Sequence, residues 1–255
     1  MGYAVFVFGP AGSGKSTFCR NIREHGATIG RSYKVINLDP AQASTADEYE
    51  VDLREFITVE EMMENYDCGP NGGLLAALEE FYENIDEMSF GDLEDSFLLF
   101  DCPGQLELFM HSDVMQKIID HVKQYFRCGI VYVMEAQYFV DVHKYISGCL
   151  CALVSMARLS VPCINVASKM DFVAEDDFSV FYTPTSEISR MLGSSKYSQI
   201  SRRILEFVVD SSMVDFIPLD WGKEESVERM IYHIDNAVQY YDDAEPKARD
   251  IDDGC

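Results

Sequence analysis

Positive charge is what this sequence has least of: 20 Lys and Arg stand against 44 Asp and Glu, for a formal net charge of −24. A chain so acidic is repelled by nucleic acid backbones and by anionic membrane surfaces, so neither is an expected direct partner. Solubility is the simplest consequence of the acidity. Long apolar runs are missing too, none reaching the about 18 residues that a bilayer-spanning helix needs. The first residues read directly as a strand, and Phe6 stands where a myristoylation signal after Met1-Gly2 wants Ser or Thr. No targeting leader or lipid anchor is therefore expected. The eight cysteines contain no C-x-x-C pair and read as reduced, mostly buried thiols, while the five histidines lack metal-ligand spacing. These absences place the chain, as an expectation, in the cytoplasm.

What is present is a regular alternation of strand and helix signals over 255 residues, 47% of them apolar. Strands are expected at Tyr3–Phe8, Tyr33–Asn37, Ser96–Phe100, Gly129–Met134, Val161–Ala167 and Val214–Leu219, with helical spacing between them. One such helix carries Leu74, Leu75, Leu78, Phe81, Tyr82 and Ile85 on one face and acids on the other. The pattern predicts an α/β three-layer sandwich with a mostly parallel central sheet, in one domain over residues 1–241. Ala41–Asp52 is polar without core periodicity and reads as a mobile loop. Phe172–Val209 reads as two helices around Gly193-Ser194-Ser195, and 242–255 as a charged, disordered tail.

The stretch Gly9–Thr17, GPAGSGKST, follows the first strand and opens the first helix. Strand, glycine-rich loop and helix start are the context of a phosphate-binding P-loop. Its glycines let backbone N–H groups close on a polyphosphate, and the helix N-terminus adds partial positive charge. Lys15 can reach the β and γ phosphates, and the Ser16 hydroxyl can ligate a Mg²⁺ bridging them. The expected nucleotide contacts are Gly12, Ser13, Gly14, Lys15, Ser16 and Thr17, with Thr17 otherwise an ordinary first-turn residue.

Three further segments stand at expected strand ends, where open α/β sheets bind ligands. Asp101-Cys102-Pro103-Gly104-Gln105 offers a carboxylate for a Mg²⁺-bound water, a glycine to approach the γ-phosphate, and a glutamine to orient the attacking water. Ser168-Lys169-Met170-Asp171 offers a carboxylate that can accept two hydrogen bonds from guanine, a pair adenine cannot supply, and a lysine stem to lie along the purine. Asp39, in Asn37-Leu38-Asp39-Pro40-Ala41, can reach Mg²⁺ through water, help position the nucleophile, or merely cap the turn.

GPAGSGKST, NLDPA, GPNGG, DCPGQ and SKMD, in this order, resemble the GPN-loop GTPases up to about Tyr241. Phe216–Asp220, Glu224–Ser226 and His233–Asp243 are most similar to the third of that family's eukaryotic branches. The resemblance implies a P-loop NTPase fold with a GPN-loop insertion between strand two and the D-x-x-G strand, and a Mg²⁺-dependent GTPase cycling between GTP and GDP. It implies a dimer, with itself or with a paralogous GPN-loop GTPase, in which Gly69, Pro70 and Asn71 of one chain reach the phosphates of the other. Asn71 then joins Gln105 and Asp39 as a catalytic group, and Asp39 joins Ser16 and Asp101 around the metal. It further implies RNA polymerase II subunits as clients and shuttling to the nucleus. Ser168 departs from the Asn or Thr more usual at its position, and Thr45 and Thr58 are both candidates for a switch threonine.

Two readings from other classes stand beside this one. A P-loop nucleoside or nucleotide kinase could use Arg190, Arg202 and Arg203 as a basic lid, but would leave SKMD and DCPGQ unexplained. A scaffold could hold GTP with negligible turnover.

Overall fold

Seven strands form one sheet in the order β3-β2-β4-β1-β5-β6-β7, and every neighbouring pair is parallel. The computed structural model describes residues 2–42, 49–88, 90–93, 95–105, 112–173, 188, 190, 192, 196–211 and 214–243. In chain order the elements are β1 (Gly2–Phe8), α1 (Lys15–Thr28), β2 (Tyr33–Asn37), β3 (Val51–Asp52), α2 (Val59–Tyr66) and α3 (Pro70–Glu83). They continue as β4 (Phe97–Asp101), α4 (Val114–Val122), β5 (Phe126–Glu135), α5 (Val142–Leu159), β6 (Cys163–Ser168), α6 (Lys196–Ser211), β7 (Phe216–Pro218) and α7 (Glu224–Ala237).

Side chains alternate across a strand, and here both faces are apolar. Ala4, Phe6 and Phe8 of β1 point into a core closed by α3, α4 and α5, where Phe6 stacks on Phe100 at 4.4 Å between ring centroids. Val5 and Val7 point the other way, to Phe18 and Ile22 of α1 and to Met230 and Ile234 of α7. Each buried Val, Ile, Met or Phe among these contributes about 1.5–3 kcal/mol, so the central strand is anchored from both layers. The expected sandwich is thus present, and among the described residues its sheet is wholly parallel.

The stretch expected as a loop between Ala41 and Asp52 contains a strand at its end, since Val51 and Asp52 pair with Ile36 and Asn37 at the sheet edge. Two residues are too few to show a period of two. Thr58 caps α2 in a capping box with Glu61, which accounts for it without a switch role, and Thr45 lies outside the described residues. Gly193-Ser194-Ser195 and the tail from 244 onward also lie outside them. At the far end of the sheet Arg31 forms a two-pronged ion pair with buried Asp235, at 2.8 and 2.9 Å, and lies 4.1 Å from the Tyr240 ring centroid. That pair fastens α7 to the chain leaving α1. Among the described residues no helix is long and apolar enough to cross a membrane. None of the seven described cysteines forms a disulfide, and burial pushes Cys128, Cys149 and Cys163 up to about 12.

Candidate functional site

β1 lies between β4 and β5, and the chain leaving β1 runs to β2 on one side whereas that leaving β5 runs to β6 on the other, so the carboxyl end of β1 is at the topological switch point. Gly9 makes the exit possible. Its φ is +147°, and a Cβ there would sit 2.1 Å from the Val133 carbonyl oxygen of β5, so no other residue fits. The loop then turns through a Ser13 N–H to Pro10 carbonyl bond of 3.1 Å, and Gly14 starts α1.

Lys15 is folded back over this loop, 7% exposed, with Nζ donating to the Pro10 carbonyl at 3.1 Å. Burial lowers its pKa, opposed by the carboxylates of Asp101 and Asp39. Gly104 presses the segment after β4 onto the same place. A Cβ on it would meet Lys15 Nζ and Ala11 Cα at 2.8 Å each, so backbone occupies the space beside the ammonium. A cleft of about 400 Å³ opens here, lined by Gly12, Gly14, Lys15, Ser16 and Thr17, by Asp39 after β2, Gly104 after β4, and Lys169 after β6. Thr17, expected as an ordinary first-turn residue, therefore also faces the cleft.

The two acids differ in setting. Asp101 is 1% exposed at the end of β4, with the charge of Lys15 acting on it, whereas Asp39 borders the cleft itself. Burial raises the Asp39 carboxyl, partly offset by the N–H of Ala41 and the charge of Lys15. Mg²⁺ characteristically takes one or two carboxylates together with substrate phosphates. Ser16, Asp39 and Asp101 are such a sparse set, and among the described residues no group of three His, Cys, Asp or Glu could hold a metal alone. The donor set fits an ion that arrives with a polyphosphate.

At the base end, Ser168 Oγ donates to the Ser13 carbonyl at 2.7 Å, with the Met134 carbonyl at 3.3 Å, tying β6 to the P-loop. Lys169 has a left-handed backbone, φ 56°, and reaches across the cleft to the Gly12 carbonyl at 2.7 Å. Asp171 follows on an exposed turn, beyond the residues that line the phosphate cleft. The short serine side chain thus bonds the loop directly.

Two expected groups lie elsewhere. Gln105 lines a neighbouring cavity of about 390 Å³ with Tyr132, Tyr138 and Cys151, and among the described residues its buried Oε1 has no hydrogen-bond partner. Gly104 borders both spaces, so Gln105 is one residue away from the phosphate cleft but turned from it. Gly69, Pro70 and Asn71 are exposed at the start of α3, with Gly69 as N-cap and Pro70 at the first helical position, and none of them lines the cleft. None of Arg190, Arg202 and Arg203, the candidate lid, lines it either, the last two lying on α6. The sequence reading passed over Gln42, whose Nε2 donates to Ser16 Oγ at 3.0 Å. No sequence signal marks it, since the two residues are 26 apart in the chain.

Residues 7–240 match a family described as conserved hypothetical ATP binding protein. Among curated relatives, GPN-loop GTPase 3 of Danio rerio is 39% identical over 258 residues, covering 96% of this chain and 90% of that one. GPN-loop GTPase 3 of Schizosaccharomyces pombe is 38% identical, covering 97% and 95%, and that of Saccharomyces cerevisiae 36%, covering 95% and 94%. The fold is also that of a crystal structure of a GTPase in apo form from Pyrococcus abyssi, with a TM-score of 0.78, 22% identity, and coverage of 92% of this chain and 97% of that one. With the P-loop cleft, the D-x-x-G backbone at its side and near full-length likeness to these relatives, the chain belongs to the GPN-loop GTPase family.

Proposed function

We propose that this protein binds GTP with Mg²⁺ and hydrolyses it to GDP and phosphate, as one half of a dimeric switch. The observation that carries the reading is the approach of Gly104 to Lys15, which brings the segment after β4 against the P-loop at the place where a γ-phosphate is sensed. Lys15 leaves the Pro10 carbonyl for phosphate oxygens, and the loop N–H groups and the start of α1 add positive potential. Ser16, with Asp39 and Asp101 behind it, would hold Mg²⁺, which when bound neutralises charge on the transferring phosphoryl group. Gln105 orients water only after its side chain turns from the neighbouring cavity toward the cleft.

Asp171 selects guanine by accepting two hydrogen bonds, while Lys169 lies along the purine. The family description speaks of ATP and the relatives' names of GTP, and Asp171 favours GTP. The exposed Gly69-Pro70-Asn71 supports a partner, either a second copy or a paralogue, whose phosphates Asn71 would contact. Service to RNA polymerase II subunits between cytoplasm and nucleus rests on the family resemblance alone. Single-turnover hydrolysis of GTP and ATP tests the reading: GTP is cleaved in preference to ATP, and Gln105→Leu keeps GTP binding but loses hydrolysis. Full hydrolysis by Gln105→Leu would remove that residue from the mechanism.

A further inference from the structure

We infer that Gln42 is a positioning residue for the metal ligand Ser16, and that one hydrogen-bonded network holds Ser16 and Asp39 in register for the same ion. The inference rests on Ser16 ligating Mg²⁺, as proposed above. Gln42 lies 26 residues from Ser16 in sequence, yet its Nε2 donates to Ser16 Oγ at 3.0 Å. A serine hydroxyl has one proton and two lone pairs and rotates to suit its surroundings. With one lone pair taken by Gln42, the other is left for a cation and the proton for a phosphate or carboxylate oxygen. One of the three positions on the hydroxyl oxygen is filled before the metal arrives.

Gln42 is itself fixed at both ends. The Tyr49 hydroxyl donates to Gln42 Oε1 at 2.9 Å, which leaves the amide N–H for Ser16. The Gln42 carbonyl accepts from Arg54 Nη1 at 2.9 Å, and Arg54 Nε in turn binds the Asp52 carboxylate at 2.9 and 3.0 Å. Asp52 also accepts from Asn37 Nδ2 at 2.8 Å, and Asn37 Oδ1 accepts the backbone N–H of Asp39 at 2.9 Å. Burial works to raise the Asp52 carboxyl, but the bonds from Arg54 and Asn37 outweigh it and hold it below its ordinary value. The path from Ser16 through Gln42, Arg54, Asp52 and Asn37 therefore ends on Asp39, the acid that borders the cleft. Both groups offered to the metal are supported by β2, β3 and the turn that follows β3. Outer partners of this kind orient metal ligands and are costly to remove.

The test uses the full chain and two readouts: GDP affinity in excess EDTA, and affinity of the GDP complex for Mn²⁺ followed by electron paramagnetic resonance. Gln42→Leu, similar in size and without the amide, should weaken Mn²⁺ binding about tenfold while GDP affinity in EDTA stays as in the wild type. Tyr49→Phe should weaken Mn²⁺ binding by about threefold, since it frees the amide without removing it. In a Ser16→Ala background Gln42→Leu should add nothing, because the two act as one unit. Wild-type Mn²⁺ affinity in Gln42→Leu would overturn the inference, as would equal losses of GDP affinity with and without the ion. Unchanged Mn²⁺ affinity in Ser16→Ala would instead remove Ser16 as a ligand, and the inference with it.

Discussion

The phosphate cleft and the Gly69-Pro70-Asn71 turn are built on opposite principles. The cleft is lined from the ends of β1, β2, β4 and β6, with Lys15 buried and Asp39 half-buried beside it. The turn is exposed, and among the described residues the Asn71 amide makes no hydrogen bond. An exposed amide on the first turn of α3 is accessible to a second molecule, as the proposed dimer requires. The difference is what the proposed switch requires, in which one chain binds the nucleotide and a second takes part in turning it over.

The comparison can be broken most severely at Lys15. Lys15→Ala should lower GTP affinity by about a hundredfold or more, since it removes the cation at the centre of the cleft and leaves Asp39 and Asp101 facing phosphate; fluorescence titration with a labelled nucleotide measures it. Asp171→Asn should cost about tenfold or more in the preference for GTP over ATP in competition titrations, with ATP affinity unchanged. Asn71→Ala should leave GTP affinity within about twofold and slow turnover about tenfold, read from phosphate release under saturating GTP. An equal loss of affinity would mean that the turn belongs to the cleft of its own chain.

The smallest effect concerns protons. Burial lowers the pKa of Lys15 in the nucleotide-free protein, and a bound polyphosphate favours the charged form and raises it again. Between those two values nucleotide binding must take up a fraction of a proton, and below both it must not. Calorimetry in buffers of different ionisation enthalpy at alkaline pH should show that uptake, and proton release there would contradict the assignment of Lys15.

Much of the cleft was legible because its chemistry is carried by backbone and spacing. G-x-x-x-x-G-K-S on a strand-to-helix turn allows few geometries, and Gly9 and Gly104 occupy positions where a Cβ has no room. Both-face burial of β1 and β4 likewise shows as continuous apolar runs. Side-chain direction is another matter. The spacing placed Gln105 beside Gly104 but could not say that it turns into the neighbouring cavity. Nor could it connect Gln42 to Ser16, since a bond between residues 26 apart leaves no local pattern. The edge strand at Val51 and Asp52 escaped for the same reason, its evidence being the partner strand and not its own residues. Ser168 was legible as a departure from the usual residue, and its bond to the Ser13 carbonyl explains how a shorter side chain holds the loop.

The division of labour between cleft and turn is tested most directly by measuring GTP turnover per chain and GTP affinity together across an about hundredfold range of protein concentration, alone and with an equimolar paralogue. The account predicts an affinity that stays flat while turnover per chain rises with the concentration of pairs, and an Asn71→Ala chain that fails to rise. Turnover per chain that is the same at every concentration, with or without the paralogue, and unaffected by Asn71→Ala would contradict it.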